Sequence, residues 1–180
     1  RYPEVRLDVN CSDSPVDMVG DGFDIVFRGA ASLPDSSLVA RKIMATPMTL
    51  CASPAYVEKH GTPTHPDDLR DHECLVVTAA PSLADWDFNI DGAGHSVRVD
   101  GPIRCTSLMV TRESALAGVG IARFPYHFAE PDIDSGKLVR LLQKFERREA
   151  AVYALYPRQR ELALKTRAFI DFVVTEIGSP

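Results

Sequence analysis

Apolar and polar residues alternate along this chain in two periods, and the switches between the periods mark out its elements. Between Thr106 and Pro125 the chain reads TSLMVTRESALAGVGIARFP. Leu108, Met109, Thr111, Ala115 and Leu116 recur at steps of three and four, which is helical spacing. Thr106 or Ser107 stands at the N-cap position, where a hydroxyl can accept a bond from the free amides of the first turn. Gly118 lies just past the last periodic residue, the usual place for a left-handed cap. The apolar run Ile121-Ala122-Arg123-Phe124 then ends at Pro125, which cannot extend a ladder. The spacing therefore predicts a helix, a tight turn and a short buried strand, half of an α/β unit.

The rest of the chain alternates in the same way. Residues 5–11 have period two, a half-buried strand. Ser14-Pro15 starts a short helix over 16–19, and 23–27 is a strand ending at Arg28-Gly29. That order predicts a parallel pair joined by a right-handed crossover. Residues 38–43 and 48–52 read as strands. Ser53-Pro54 opens a helix to His60, closed by Gly61, and Pro66 opens another with Asp67 and Asp68 in its first turn. Residues 74–77 form a buried strand, and 86–90 with 96–99 flank a turn at 91–94 as an antiparallel hairpin. A short helical turn follows Pro125 as far as Glu130. Strands are expected at 138–142 and 151–156, and an amphipathic helix at 162–177. An antiparallel hairpin inside an otherwise parallel pattern points to two lobes, with crossings at Pro47 and Pro157.

Length and composition narrow the class. A chain of 180 residues suits one large domain or two small lobes, and 45% apolar with 25% charged residues is an ordinary globular composition. A net charge of −5 offers no basic face to a phosphate backbone. The four cysteines, Cys11, Cys51, Cys74 and Cys105, are widely spaced, and three lie in apolar runs, so buried reduced thiols are expected rather than disulfides. No signal peptide opens the chain and no apolar run approaches roughly eighteen residues, so a cytoplasmic protein without membrane contact is expected. The opening Arg1-Tyr2-Pro3-Glu4 leads straight into a strand, as in a fragment of something longer.

Strand ends and helix starts are where open α/β sheets hold ligands, which selects Thr106-Ser107 and Phe124-Pro125. Other chemistry is weakly indicated. His65, His72 and Cys74, near Asp67 and Asp68, fit no zinc spacing. There is no Gly-x-Ser-x-Gly elbow, and Gly118-x-Gly120 lacks the third glycine of a dinucleotide loop. Asp85 and Asp87 read as solvated carboxylates and 144–149 as a surface turn. Cys105 has no resolving cysteine close in sequence. No catalytic residue, metal or cofactor is expected.

Several strings read together resemble a known family: YPEV, DMVGDGFDIVFRGA, DSSLVARKI, LCASPAYVEKHGTPTHPDDLRDHECL, DWDF, ALAGVGIARFP, GKLVRLL and VYALYP with RAFIDF. From Tyr2 to about Val173 the chain is similar to the effector-binding domain of LysR-type transcriptional regulators. The resemblance implies an α/β fold of the two-lobed type II periplasmic-binding-protein kind, each lobe a mixed sheet flanked by helices. The lobes would be 1–47 with 155–180, and 48–154, with a small effector in the cleft. The winged helix-turn-helix head that binds DNA is absent, as are the strand and helix expected before Tyr2. The family's cleft positions fall on Arg28, Gly29 and Ala30; Thr46 and Pro47; Thr106, Ser107 and Leu108; and Arg123, Phe124 and Pro125. A guanidinium at Arg28 suits a carboxylate or other organic anion; its alternative is a structural pair with Asp24 or Asp35. Phe124 with Phe128 suits an apolar body. The resemblance also implies a homodimer through 108–116 and 5–9, or a tetramer in the full-length regulator; the alternative is core packing within one chain. A solute-binding protein of the same fold is the alternative function, and an enzyme is not expected.

Overall fold

Long-range ladders, not local alternation, decide how the predicted elements assemble. The computed structural model describes residues 2–12, 16–18, 20–30, 33, 37–78, 84–147, 151–158 and 164–177. The chain divides into two units, Arg1–Thr46 with Glu149–Pro180, and Pro47–Arg148.

In the first unit, β1 (Val26–Ala30), β10 (Ala151–Pro157) and β2 (Leu38–Ala45) lie in the order β1-β10-β2, antiparallel throughout. The C-terminal helix α4 (Leu164–Ile177) buries Thr166, Ile170 and Val173, at steps of four and three. Val173 packs with Ile43 and Ala154, and Phe169, Phe172 and Ile25 close over them. Ion pairs from Arg41 to Asp171 (2.6 Å) and from Lys165 to Asp24 (3.1 Å) join the helix to the rest of the unit.

The parallel crossover expected at the start is not seen among the described residues. Residues 5–11 join no ladder, and Val5, Leu7 and Val9 stay exposed. Strand β1 takes its partner from β10, far along the chain, and it runs over Val26–Ala30, so Arg28 and Gly29 lie inside the strand and not past its end. The short helix expected at 16–19 is not formed in its described part: Val16 and Asp17 carry no regular structure and Met18 lies in a turn, while Val19 lies outside the described residues. Strand β10 pairs with β2 along its whole length and with β1 from Ala151 to Leu155, so the return crossing precedes Ala151, earlier than the boundary expected at 154/155.

The second unit is built on a five-stranded sheet, β7-β4-β8-β3-β9. Its strands are β3 (Met48–Ala52), β4 (Cys74–Val77), β7 (Arg104–Cys105), β8 (Ile121–Pro125) and β9 (Val139–Leu141). Strand β4 is parallel to β7 and β8, while β3 is antiparallel to β8 and β9. Alternation splits the sheet's side chains between two cores. Leu50, Ala52, Ile121 and Leu141 pack with Tyr56, Trp86 and Phe88; Cys51, Ala122 and Phe124 pack with Ala115 and Ala129. Tyr56 belongs to α1 (Pro54–His60), which Ser53 caps by accepting from the Tyr56 amide at 3.2 Å. Trp86 and Phe88 come from the hairpin β5 (Asp85–Ile90) and β6 (Ala93–Arg98), whose two-residue turn puts Asp91 and Gly92 at φ of 50° and 86°. Ala115 and Ala129 come from α2 (Leu108–Leu116) and α3 (Tyr126–Asp134). Helix α3 continues past Glu130, with Pro131 inside it. Its end is closed by the amides of Lys137 and Leu138, which donate to the Asp132 carbonyl.

Candidate functional site

Because β4, β7 and β8 run the same way, their C-terminal ends share one edge of the sheet. Thr78 leaves β4 there, its amide donating to the Cys105 carbonyl at 2.7 Å. Thr106, Ser107 and Leu108 follow β7 and enter α2, and Pro125 ends β8. Strand β3 starts at the same edge, with Met48 opposite Pro125 and the Tyr126 amide donating to the Pro47 carbonyl at 2.8 Å. The fold thus brings together Pro47, Thr106, Ser107 and Pro125, which lie far apart in sequence. Thr78 joins them and was missed, although it ends an apolar run and the strand-end rule selects such a position.

The start of α2 differs from expectation. Ser107 is the N-cap residue, with φ −111° and ψ 123°, but its side chain makes no capping hydrogen bond. Instead the Ser107 carbonyl is the acceptor. It takes the Thr111 amide at 3.2 Å and the Thr111 hydroxyl at 2.9 Å, and the Cys105 thiol lies 3.4 Å away. Thr106 is exposed and Ser107 half-buried, so both side chains can meet solvent or a ligand. At the far end Gly118, at φ 78°, follows the C-cap Ala117, and the Val119 amide reaches back to the Ser114 carbonyl at 3.0 Å.

Phe124 is fully buried on the α2 and α3 face, its ring 5.6 Å from Phe128, so it offers this edge only its backbone. The apolar lining expected from its side chain is spent in the core. Arg123 projects from the opposite face, the one that carries Ile121. Burial lowers the pKa of its guanidinium; Asp87 raises it and Arg147 lowers it further. Asp87 and Arg147 are 3.9 Å apart.

In the first unit, Ala30, Ala151 and Ala45 form one row across the sheet, which puts the ends of β1 and β2 at one edge, followed by the buried Thr46. Arg28 is exposed opposite Tyr153 and has no ion pair among the described residues; Asp24, one of its expected partners, is held by Lys165. Asp35, the other, lies outside the described residues.

The histidines do not converge on a metal. His72 meets the Tyr56 hydroxyl at 3.2 Å, while His65 and His95 lie 3.3 and 3.2 Å from Asp67, which Arg70 also approaches. No metal-binding group of three or more occurs among the described residues. Burial pushes the thiols of Cys51 and Cys74 up to about 12, so both are inert at neutral pH. The described part of 144–149, Lys144 to Arg147, is not merely a surface turn; Arg148 and Glu149 lie outside the described residues. Glu146 is largely buried, accepting from Thr49 Oγ1 at 2.6 Å and from Arg140 at 2.7 Å.

Two α/β units, one with its parallel strand ends gathered at one edge, define a ligand-binding domain of the type II periplasmic-binding-protein kind. The LysR substrate binding domain family matches residues 1–178, and the chain belongs to that family. The HTH-type transcriptional regulator CrgA of Neisseria meningitidis serogroup C (strain 8013) is 33% identical over 180 residues, covering 99% of this chain and 60% of CrgA. The HTH-type transcriptional activator AaeR of Escherichia coli (strain K12) is 31% identical over 173 residues, covering 94% of this chain and 55% of AaeR. Among solved structures, the CrgA regulatory domain matches with a TM-score of 0.85 at 31% identity, covering 98% of this chain and 86% of that one. The full-length Vibrio cholerae virulence activator AphB matches at 0.81 and 30% identity, covering 97% and 59%. The chain spans about 60% of the length of these curated regulators. No helix among its described residues is long and apolar enough to cross a membrane.

Proposed function

We propose that the chain is the ligand-sensing regulatory domain of a LysR-type DNA-binding transcription factor. The carrying observation is the family match over residues 1–178, with relatives that are transcription regulators. The gathered strand ends at Thr78, Thr106, Ser107 and Pro125 support it, because the fold leaves the Thr106 and Ser107 side chains there able to meet a small molecule. In this reading each unit carries its own candidate effector contacts. Arg28, Gly29, Ala30 and Thr46 are those of the first; Pro47, Thr106, Ser107, Leu108, Arg123, Phe124 (through its backbone) and Pro125 are those of the second. No bond is made or broken. The effector favours one arrangement of the regulator by its higher affinity for it, and a separate helix-turn-helix head carries that bias to DNA. A solute-binding role finds no support among the relatives. The regulator acts in the cytoplasm as a homodimer or tetramer through its regulatory domains.

A thermal-shift screen of small carboxylates and aromatic metabolites against the 180-residue chain tests this reading. Any binder is expected to lose affinity about tenfold, roughly 1.4 kcal/mol, in Thr106→Val and Ser107→Ala variants whose unliganded melting is unchanged. Binders indifferent to both substitutions refute the site. Sedimentation equilibrium checks the dimer.

A further inference from the structure

The dipeptide Asp-Gly occurs at Asp21-Gly22, Asp91-Gly92 and Asp100-Gly101. It is prone to succinimide formation, because glycine has no side chain to obstruct its own amide nitrogen as that nitrogen approaches the aspartyl Cγ. The reaction needs a protonated carboxyl group, an amide that is not held elsewhere, and room for the glycine to turn. The fold treats the three sites differently.

At Asp100-Gly101 each requirement is blocked. Arg104 donates to the Asp100 carboxylate at 2.8 Å, and the bonds from Arg104 and the Gly101 amide hold that carboxyl below the usual carboxylate range. A Cβ on Gly101 would run into the Cys74 backbone, so this glycine is packed against the start of β4. At Asp91-Gly92 the nucleophile is held: the Gly92 amide donates to Asn89 Oδ1 at 2.8 Å within the hairpin turn. Asp21-Gly22 has neither safeguard. Both residues are exposed, and among the described residues no ion pair meets Asp21 and no acceptor meets the Gly22 amide. A Cβ on Gly22 would meet nothing within 4 Å, so the peptide has space to rotate.

We infer that Asp21-Gly22 is a site of isoaspartate formation, at which the folded chain modifies itself with water as its only co-reactant. The Gly22 nitrogen attacks Asp21 Cγ, the N–Cγ bond forms, and the carboxyl hydroxyl leaves with the amide proton as water. Water then adds to the Asp21 backbone carbonyl carbon of the ring, and the bond from that carbon to the Gly22 nitrogen breaks. Mass is unchanged, but the backbone now runs through Cβ and Cγ and is one carbon longer. The added carbon lies inside the loop that the Phe23 amide closes on the Met18 carbonyl at 3.0 Å, just before β1.

The test keeps the folded 180-residue chain at mildly acidic pH in water enriched in heavy oxygen, since each ring that reopens takes one oxygen from the solvent. Trypsin in ordinary water then separates the three sites into peptides 7–28, 71–98 and 99–104, and mass spectrometry reads the uptake in each. Uptake is expected to be fastest in 7–28, about fivefold slower in 71–98, where one hydrogen bond must be given up, and at least about tenfold slower in 99–104, where the bonds are charged. In concentrated guanidinium chloride the three rates should converge, because the bonds that separate them are gone. Asp21→Glu, whose longer side chain closes a ring far more slowly, should end the uptake in 7–28, and Asn89→Ala should raise that in 71–98. The inference is overturned if folded 7–28 takes up no more than 99–104, if Asp21→Glu leaves the uptake in 7–28 unchanged, or if the same spread of rates persists in the denaturant. The parent's folded and denatured rates decide the matter even where a variant fails to fold.

Discussion

Removing Arg112 tests how the α2 and α3 face of the second unit is held together. Asp132 on α3 is only 4% exposed, and Arg112 on α2 grips it with a fork: Nε to Oδ2 at 2.6 Å and a terminal nitrogen to Oδ1 at 2.7 Å. No other donor reaches this carboxylate among the described residues. Hydrogen bonds to charged groups contribute about 1.5–3 kcal/mol each, and breaking a buried pair from one side costs about 3–5 kcal/mol. Arg112 itself is a quarter exposed, so the lower end applies, and Arg112→Met is expected to cost about 3 kcal/mol. The only tryptophan, Trp86, is 2% exposed in the core of this unit and reports its unfolding. With a urea slope of about 2 kcal/mol/M, the fluorescence midpoint should fall by about 1.5 M. Replacing both partners with Arg112→Met and Asp132→Leu should recover at least about 1 kcal/mol, because the stranded charge is gone. Arg98→Ala serves as the contrast: its pair with Asp85 is 65% and 42% exposed, and its loss should cost less than about 1 kcal/mol. If Arg112→Met falls in that surface range, or the double variant is simply additive, the fork is not holding α2 to α3.

The thiols give a second check. Cys51 and Cys74 should resist an alkylating reagent at pH 8 while exposed Cys11 reacts, and all four should react once unfolded. Their folded pKa values, raised from 9.0 to about 12, favour the protonated native state. The stabilisation is therefore complete below pH 9 and is lost between pH 9 and 12, by about 1.4 kcal/mol per pH unit per thiol. Cys51→Ala should flatten that decline by one thiol's share in urea titrations; an unchanged slope would contradict the burial argument. Gly120→Ala would drive its methyl group into the Glu73 carbonyl, so a cost of about 1–3 kcal/mol is expected by the same fluorescence assay, and a neutral result would mean the strands can part there. Thr49→Val removes the hydroxyl that donates to Glu146 and accepts from Arg140, and should cost about 1–2 kcal/mol; a smaller loss would show that Arg140 and Glu146 pair unaided.

What the sequence showed and what it hid divide along the range of the interaction. Strands β3 and β8 and helix α2 were legible because one stretch of residues supplies both the apolar face and its end signals: Leu50 and Ala52 against Thr49 and Cys51, or Gly118 just past Leu116. The pairing of β1 with β10 was not, since Val26 meets Leu155 and no local spacing records so distant a partner. Residues 5–11 show the reverse error, where alternation promised a strand and no strand pairs with it among the described residues. Candidate chemistry followed the same division. The edge holding Thr106, Ser107 and Pro125 was found because strand ends can be read locally. Arg28 and Arg123 could not be ranked, because a guanidinium is recruited to a site by what surrounds it and not by its neighbours in sequence. Asp132 neutralises Arg112 from 20 positions away, and Glu146 serves Arg140 across a stretch that reads as a polar turn. Only when those pairings are assigned does Arg123 stand out, as the described guanidinium of the second unit with no carboxylate within 4 Å among the described residues, Asp87 acting on it from farther off.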